Sequence, residues 1–248
     1  MDAVHILMWR LCEFYEDSFS GTSWASMGLR LIAVRFAMSS PRERKTYHHG
    51  DLRQALVQAG MGLARVGGPE AVVLREATRR AGVAPNAAYR HFANREALFD
   101  AVRAAALGAL AQAIEQEMEA ARGIDDMAQR SRALLAAVGR GYLGFAQAET
   151  GWFRSAFAWG VYDVEVAPDA AHTAAMGLNP FELLGYALDA MRDAGVLAAE
   201  RRPGAEFLAW SAVHGMALLM IDGPLRHAPP QMRQALALRL LHMVEEGI

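Results

Sequence analysis

A short basic and aromatic stretch carries side chains suited to contact DNA. Residues 81–92 have the sequence AGVAPNAAYRHF. The amide of Asn86 suits paired hydrogen bonds to adenine, and the methyl group of Ala87 suits contact with the methyl group of thymine. Gly82 permits a sharp turn, and Pro85 suits the first position of a helix, where its missing N–H costs nothing. Together these features predict a helix-turn-helix whose second helix enters the major groove.

Charge is unevenly distributed along the chain. Residues 41–96 contain ten Lys or Arg and five Asp or Glu, a net charge of +5, whereas the whole chain carries −2. Such asymmetry is expected when one module meets phosphate groups and the rest of the chain does not. We also predict that Arg42, Arg44 and Lys45 form a flexible basic arm that contacts phosphates or a minor groove.

A second motif suggests different chemistry. Residues 139–144, with the sequence GRGYLG, match the glycine pattern of a dinucleotide-binding loop, so a nucleotide-dependent oxidoreductase is the alternative function. The preceding residues are alanine-rich and continue a helical pattern, which favours glycines that allow close helix packing. His214 stands alone on an apolar segment, and Cys12 is the only cysteine. We therefore predict no metal site, no cofactor and no catalytic residue.

The periodicity of apolar residues indicates the elements that position these groups. Apolar residues recur at helical spacing almost throughout residues 51–248, so an all-α fold is predicted. Asp51 and Asn94 have the types and spacing of helix caps, and Asn179 begins a capping pattern with Pro180 and Glu182. The predicted helices cover residues 51–66, 74–81, 85–92, 94–118, 126–149, 152–159, 179–195, 203–222 and 229–248.

Residues 51–99 resemble the N-terminal DNA-binding domain of the TetR family of transcriptional regulators. The matching segments are YHHGDLR at 47–53, LREATRRAGV at 74–83, YRHF at 89–92 and REAL at 95–98. The resemblance implies that Tyr89 and His91 face the DNA backbone and that Arg95 contacts a phosphate. The predicted DNA contacts are Arg42, Arg44, Lys45, Ala84, Pro85, Asn86, Ala87, Tyr89, Arg90, His91 and Arg95.

Two residues depart from the family pattern. Val73 stands near the start of the second helix, where the family often has a threonine that meets phosphate. Ala84 precedes the recognition helix, where the family commonly has a capping serine. The loss of a capping hydroxyl typically costs about 1 kcal/mol.

The C-terminal part resembles the Trp-His-Gly regulatory domain of one TetR branch, through WSAVHG at 210–215 and DG at 222–223. This resemblance implies a pocket for a small, mostly apolar effector. Its predicted lining is Tyr142, Phe153, Phe157, Met176, Phe181, Tyr186 and His214. The last two helices resemble a dimer-forming bundle, and their candidate contacts are Trp210, Leu218, Leu219, Leu236, Leu240 and Met243.

These inferences predict a cytoplasmic, homodimeric repressor without membrane spans that binds a palindromic operator and is released by its effector. The predicted divisions are a poorly defined extension at 1–40, the DNA-binding domain at 41–96 and the regulatory domain at 97–248. We expect Met38 to be an alternative start. A further alternative is an interaction or membrane-surface protein that uses the aromatic residues of the extension.

Overall fold

The computed structural model describes residues 49–158 and 173–248, with the side chains of residues 49–51 excepted. The chain divides into two units, residues 1–45 and 46–248, and the described residues all lie in the second. They form an all-α fold without strands, as predicted. The helices are α1 His49–Gly67, α2 Leu74–Ala81, α3 Pro85–Ala88, α4 Arg95–Met118, α5 Met127–Ala148, α6 Thr150–Ala156, α7 Pro180–Asp193, α8 Ala205–Ile221 and α9 Pro230–Gly247.

Side-chain caps fix where several of these helices begin. Asn94 accepts a hydrogen bond from the backbone N–H of Ala97 at 2.8 Å, which confirms the predicted start of α4. Asn179 accepts from the N–H of Glu182 while the Glu182 carboxylate accepts from the N–H of Asn179. This reciprocal pair satisfies N–H groups that have no partner within the helix.

Four predicted boundaries were wrong. Helix α3 ends at Ala88 rather than at residue 92, because residues 89–91 form a turn. Asp51 lies inside α1 rather than at its cap, because the helical backbone already includes His49 and Gly50. Helix α6 covers Thr150–Ala156 rather than 152–159, since Phe157 leaves helical geometry at φ −111°. Helix α8 begins at Ala205 rather than Pro203, because Gly204 takes a left-handed conformation with φ 77°.

Two hydrophobic cores share the long helix α4. The first core joins α1, α2, α3 and the first half of α4, through buried residues that include Leu56, Phe92 and Leu98. The second joins the rest of α4 to α5, α6, α7 and α8, and Ile114 and Phe153 are fully or almost fully buried in it. Because one continuous helix serves both cores, a change in the second can be transmitted to the first.

Residues Arg95–Ala121 are also long and apolar enough, by length and composition, to cross a membrane. The hydropathy of this stretch comes largely from alanine, spread among polar residues, so the sequence does not show it as one apolar run. Leu98 and Ile114 on opposite halves of it are fully buried against other helices. Such burial is typical of a core helix in a globular protein.

Candidate DNA-binding and effector-binding sites

A tight turn separates α2 from α3. Gly82 has φ 69°, a left-handed conformation that favours glycine, and its N–H donates to the carbonyl of Arg79. The next N–H, of Val83, donates to the carbonyl of Thr78 at 3.1 Å. The chain then enters α3 with Pro85 at its start, as predicted. This turn fixes the direction in which α3 leaves the module.

The side chains on and after α3 divide between solvent and core. Asn86 and Arg90 are exposed, and Tyr89 is 59% exposed, so Tyr89 is a surface aromatic. Phe92 is only 2% exposed and belongs to the core, and the Arg53 guanidinium lies 5.2 Å from the centre of its ring. The stretch therefore presents the Asn86 amide, the Tyr89 phenol and the Arg90 guanidinium to solvent, while Phe92 fixes it to the core.

The residues that depart from the family pattern are indeed without side-chain caps. Val73 precedes α2 and is 44% exposed, and Ala84 precedes α3. Neither side chain can accept a hydrogen bond from the N–H groups that follow it. The N–H groups of Glu76 and Ala87, which a capping side chain would bind, donate instead to the backbone carbonyls of Val73 and Ala84.

Arg95 has a structural role that the sequence did not indicate. Its Nε donates to the carbonyl of Val72 and its Nη2 to the carbonyl of Pro69, both at 2.9 Å. Its guanidinium also lies 5.7 Å from the ring centre of Phe99. Arg95 thus ties the start of α4 to the loop that precedes α2. Its contact with phosphate stays a prediction, and the arm of Arg42, Arg44 and Lys45 lies outside the described residues.

Exposed arginines also lie on α2. Arg79 and Arg80 both pair with the Glu76 carboxylate, with nitrogen–oxygen distances of 2.7 and 3.3 Å. Hydrogen bonding from Arg79 is the main reason that the pKa of Glu76 falls to about 2. Glu76 is therefore ionised at neutral pH and offsets part of the positive charge on this face.

In the helical body, aromatic side chains from α5, α6, α7 and α8 form one cluster. We call it the aromatic cluster, and its members are Tyr142, Phe153, Phe157, Phe181, Trp210 and His214. Phe153 and Phe157 lie 4.7 Å apart between ring centres, and Phe157 lies 4.9 Å from His214. Trp210 lies 5.8 Å from His214 and 5.9 Å from Phe181. The structure thus brings together five of the seven residues predicted to bind an effector.

Polar groups connect three members of the aromatic cluster. The indole N–H of Trp210 donates to the phenol oxygen of Tyr142 at 3.1 Å. That oxygen lies 2.7 Å from Nδ1 of His214, within hydrogen-bond distance. Burial lowers the pKa of the His214 imidazole below its ordinary value, so the ring is neutral at pH 7.

Three residues lie elsewhere than the sequence indicated. Met176 is 37% exposed, and its backbone N–H donates to the buried Glu115 carboxylate. Tyr186 is 46% exposed and lines a separate open cleft of about 520 Å³. Trp210, predicted to serve the dimer, is half-buried in the aromatic cluster. Its hydrogen bond to Tyr142 is a contact that sequence spacing does not reveal.

The short helix α6 contacts both cores. Phe153, and Phe157 directly after the helix, belong to the aromatic cluster, whereas the indole N–H of Trp152 donates to the Met61 carbonyl of α1 at 2.8 Å. At Gly151, a Cβ atom would collide with carbonyl groups of α1, which shows how closely these backbones approach. One helix of seven residues thus connects the aromatic cluster to the helix-turn-helix module.

The glycine-rich segment does not form a nucleotide-binding turn. Residues 139–144 all lie inside α5, with no preceding strand in the described chain. A Cβ at Gly141 would come within 2.7 Å of the Ile114 Cα on α4. Gly141 therefore allows α4 and α5 to pack closely, as the helical pattern predicted.

The fold joins a helix-turn-helix, which has an exposed polar recognition surface, to a helical body with a ligand-binding regulator fold. This combination defines a class of DNA-binding transcriptional regulators. Sequence comparison gives the same class for both parts. Residues 56–102 match the profile of bacterial regulatory proteins of the tetR family, and residues 135–244 match the tetracyclin repressor-like C-terminal domain. The chain belongs to the TetR family of transcriptional regulators.

Solved structures share this fold. A protein of unknown function from Rhodococcus sp. RHA1 is 25% identical with a TM-score of 0.63, and the match covers 83% of this chain and 99% of that one. The transcriptional regulator FadR from Bacillus subtilis, solved in complex with stearoyl-CoA, is 13% identical with a TM-score of 0.51. That match covers 79% of this chain and 98% of FadR. No curated protein matches the chain.

Proposed function

We propose that this protein is a ligand-responsive repressor that binds a palindromic operator as a homodimer and is released by a small apolar effector in the cytoplasm. The observation that supports this proposal best is the two-sided packing of α6. Its Phe153 belongs to the aromatic cluster, and its Trp152 is hydrogen-bonded to α1 of the DNA-binding module. An effector that moved one side of so short a helix would also move the other.

In this proposal, different exposed groups of the recognition stretch contact the bases and the sugar-phosphate backbone of DNA. Asn86 and Ala87 contact base edges, and Tyr89, Arg90 and His91 contact the sugar-phosphate backbone. Ala84 and Pro85 lie at the start of α3, where their backbone passes near the DNA. Arg95 positions the loop before α2 through its two carbonyl contacts and reaches phosphate from there. The basic arm at 42–45 adds contacts that depend on salt.

A gel-shift assay with DNA flanking the gene tests the proposal. Two variants test which residues contact bases and which contact the DNA backbone. We expect Asn86→Ala to change the preference at one base pair, by about 1–3 kcal/mol. Tyr89→Ala should instead weaken binding to every sequence, because it removes a backbone contact. If no fragment is retained at low salt by the unmodified protein, the proposed function is wrong.

The outer faces of α8 and α9 support the homodimer. Leu208, Gly215 and Leu219 recur at helical spacing on α8 and are all exposed. The neighbouring Leu218 and Met243 on α9 are exposed too. A Cβ at Gly215 would meet nothing within 4 Å, so a second helix can approach closely there. Exposed apolar side chains of this kind mark an interaction surface.

The dimer is tested by placing a charge on this face. We expect Leu218→Arg to yield a monomer in analytical ultracentrifugation, because burying an unpaired guanidinium costs several kcal/mol. The monomer should also lose affinity for a palindromic operator. Val66→Arg is the matched control, since Val66 is an apolar residue 87% exposed on α1, away from this face. A dimer that persists in Leu218→Arg would contradict the proposed interface.

We also infer that the chain belongs to the branch of the family with a Trp-His-Gly regulatory domain. The support is that Trp210 and His214 of that motif share one partner, the phenol oxygen of Tyr142. The motif residues thus lie in the aromatic cluster, where the effector is proposed to bind. The fold of FadR, which holds stearoyl-CoA, supports an effector within a helical body of this kind.

A further inference from the structure

The open cleft that Tyr186 lines lies between α5 and α7, beside the turn that follows α4. Its volume is about 520 Å³, which is within the range of small-molecule sites. Arg130 and Leu134 line it from α5, and Tyr186, Asp189 and Asp193 line it from α7. On each helix these residues recur at helical spacing, so they occupy one face. None of them belongs to the aromatic cluster, so a ligand of this cleft binds apart from that cluster.

One side of the cleft carries guanidinium groups, those of Arg122 and Arg130, and we call it the arginine wall. Arg130 is half-buried, and within the described chain it forms no ion pair and makes one long hydrogen bond, at 3.5 Å to the carbonyl of Ile124. Arg122 pairs with Glu119 at 2.9 Å, but both side chains of that pair are more than half exposed. So exposed a pair contributes little energy, and Arg122 can exchange its partner for a ligand. The arginine wall therefore offers N–H donors to an anionic group.

The opposite side carries the carboxylates of Asp189 and Asp193, and we call it the aspartate wall. Oδ1 of Asp189 accepts from Nε of Arg202 at 3.0 Å and lies 2.8 Å from Nη1 of Arg192. Oδ1 of Asp193 accepts from Nε and Nη2 of Arg192, at 3.0 and 2.9 Å. Within the part of the chain that the structure describes, neither Oδ2 atom accepts a hydrogen bond, and no ion pair joins the two walls. The cleft thus separates opposite charges that do not pair with each other.

Apolar side chains line the rest of the cleft. Leu134 and Ala121 are buried and form its floor, whereas Met127 and Tyr186 are exposed at its rim. A phenol ring and a thioether both make favourable contacts with aromatic groups. Because a small ion alone gains nothing from these side chains, the cleft favours a ligand that has an apolar body as well as charged groups.

We propose that this cleft binds a small zwitterion with an apolar or aromatic body, the chemistry of an apolar α-amino acid. Its carboxylate contacts the arginine wall, its ammonium group contacts the Oδ2 atoms of the aspartate wall, and its body packs on Leu134 and Tyr186. A simple acid leaves the aspartate wall without a cation, and a simple amine leaves the arginine wall without an anion. The site is additional to the aromatic cluster and does not depend on the effector function proposed for that cluster.

Three matched molecules test the proposal in NMR titrations of the full chain. L-phenylalanine carries both charged groups, hydrocinnamate has the same body without the ammonium group, and phenethylamine has it without the carboxylate. We expect L-phenylalanine to bind about fivefold more tightly than either analogue, the ratio expected for one charge pair that solvent partly screens. Either analogue binding as tightly as L-phenylalanine, or no binding by any of the three, would overturn the proposed ligand class.

Two variants test where each charged group binds. Arg130→Gln should weaken the binding of L-phenylalanine about fivefold and leave that of phenethylamine unchanged, since this amine has no carboxylate. Asp193→Asn should likewise weaken L-phenylalanine and leave hydrocinnamate unchanged. Arg140→Gln and Asp100→Asn are the matched controls, because both residues lie on helices of the same body but do not line the cleft.

The variants also distinguish a direct contact from a general change in structure. An equal loss for L-phenylalanine and for the analogue that lacks the matching group would show a structural effect and overturn the assignment of that wall. Unchanged binding of L-phenylalanine by both variants would overturn the location of the site. The titrations on the unmodified protein test the ligand class even if a variant fails to fold.

Discussion

Replacing Gly151 with alanine is expected to lower the free energy of unfolding by about 1–3 kcal/mol, the usual cost of overpacking. A Cβ built on Gly151 would press on the carbonyl oxygens of Ala64 and Arg65 and lie 2.7 Å from the Arg65 carbonyl carbon. These obstacles are backbone atoms of α1, so neither side can yield by rotating a side chain. Urea unfolding followed by circular dichroism measures the loss.

Gly185→Ala is the matched control for this effect. Gly185 also lies inside a helix, but a Cβ there would meet the Glu206 carboxylate at an ordinary 3.6 Å. We expect this variant to keep or slightly raise the stability, because alanine favours helix by about 0.5–1 kcal/mol over glycine. Equal unfolding midpoints for the two variants would contradict the close approach of α6 to α1.

Gly151→Ala should also weaken the communication between effector and operator. The substitution separates α6 from α1 at the point where Trp152 donates to the Met61 carbonyl and the Arg65 guanidinium lies 5.1 Å from the Trp152 ring centre. Phe153, the next residue, still packs in the aromatic cluster. We therefore expect the effector to bind almost normally while its influence on operator affinity falls, as a change in coupling free energy.

Local signals explain the parts of the fold that the sequence predicted well. Asn94 and Asn179 were recognised as helix caps because each acts on N–H groups within three residues along the chain. Gly82 was recognised at its turn for the same reason, since its conformation depends on the residue itself.

The contacts that the sequence did not reveal join partners far apart along the chain. The structural role of Arg95 depends on the carbonyls of Pro69 and Val72, which lie 26 and 23 residues earlier along the chain. Tyr142 and Trp210 are 68 residues apart, and no periodicity within one helix links them. The start of α8 failed for a local reason, because the signal from Pro203 was outweighed by the conformation of Gly204.

The aromatic cluster shows the same limit. Large apolar side chains on the middle helices identified the correct region but not which side chains meet. Phe181 reaches Trp210, whereas Tyr186 on the same helix is exposed, because five residues along a helix turn the side chain to another face. The number of hydrophobic residues in a segment therefore predicts that a core exists. Which of these residues form a site depends on how the helices pack together.

Two glycines of the GRGYLG segment are expected to respond to alanine in opposite directions. At Gly141, a Cβ would lie 2.7 Å from the Ile114 Cα and 3.0 Å from the Ala113 carbonyl oxygen, so α5 must move away from α4. We expect Gly141→Ala to lower the free energy of unfolding by about 1–3 kcal/mol. At Gly144, a Cβ would meet nothing within 4 Å, so Gly144→Ala should raise it by about 0.5–1 kcal/mol through helix propensity alone.

The contrast between these variants separates a packing role from a nucleotide-binding role. Both glycines lie in one helix, three residues apart, so each variant serves as the control for the other in the same thermal unfolding experiment. A dinucleotide loop needs its glycines for the approach of a phosphate, so their replacement would impair NAD binding instead of shifting stability in opposite directions. Stabilisation by both substitutions would refute the close contact between α4 and α5. Opposite changes in the free energy of unfolding would assign the segment to the interface between α4 and α5, because only Gly141 faces the backbone of α4.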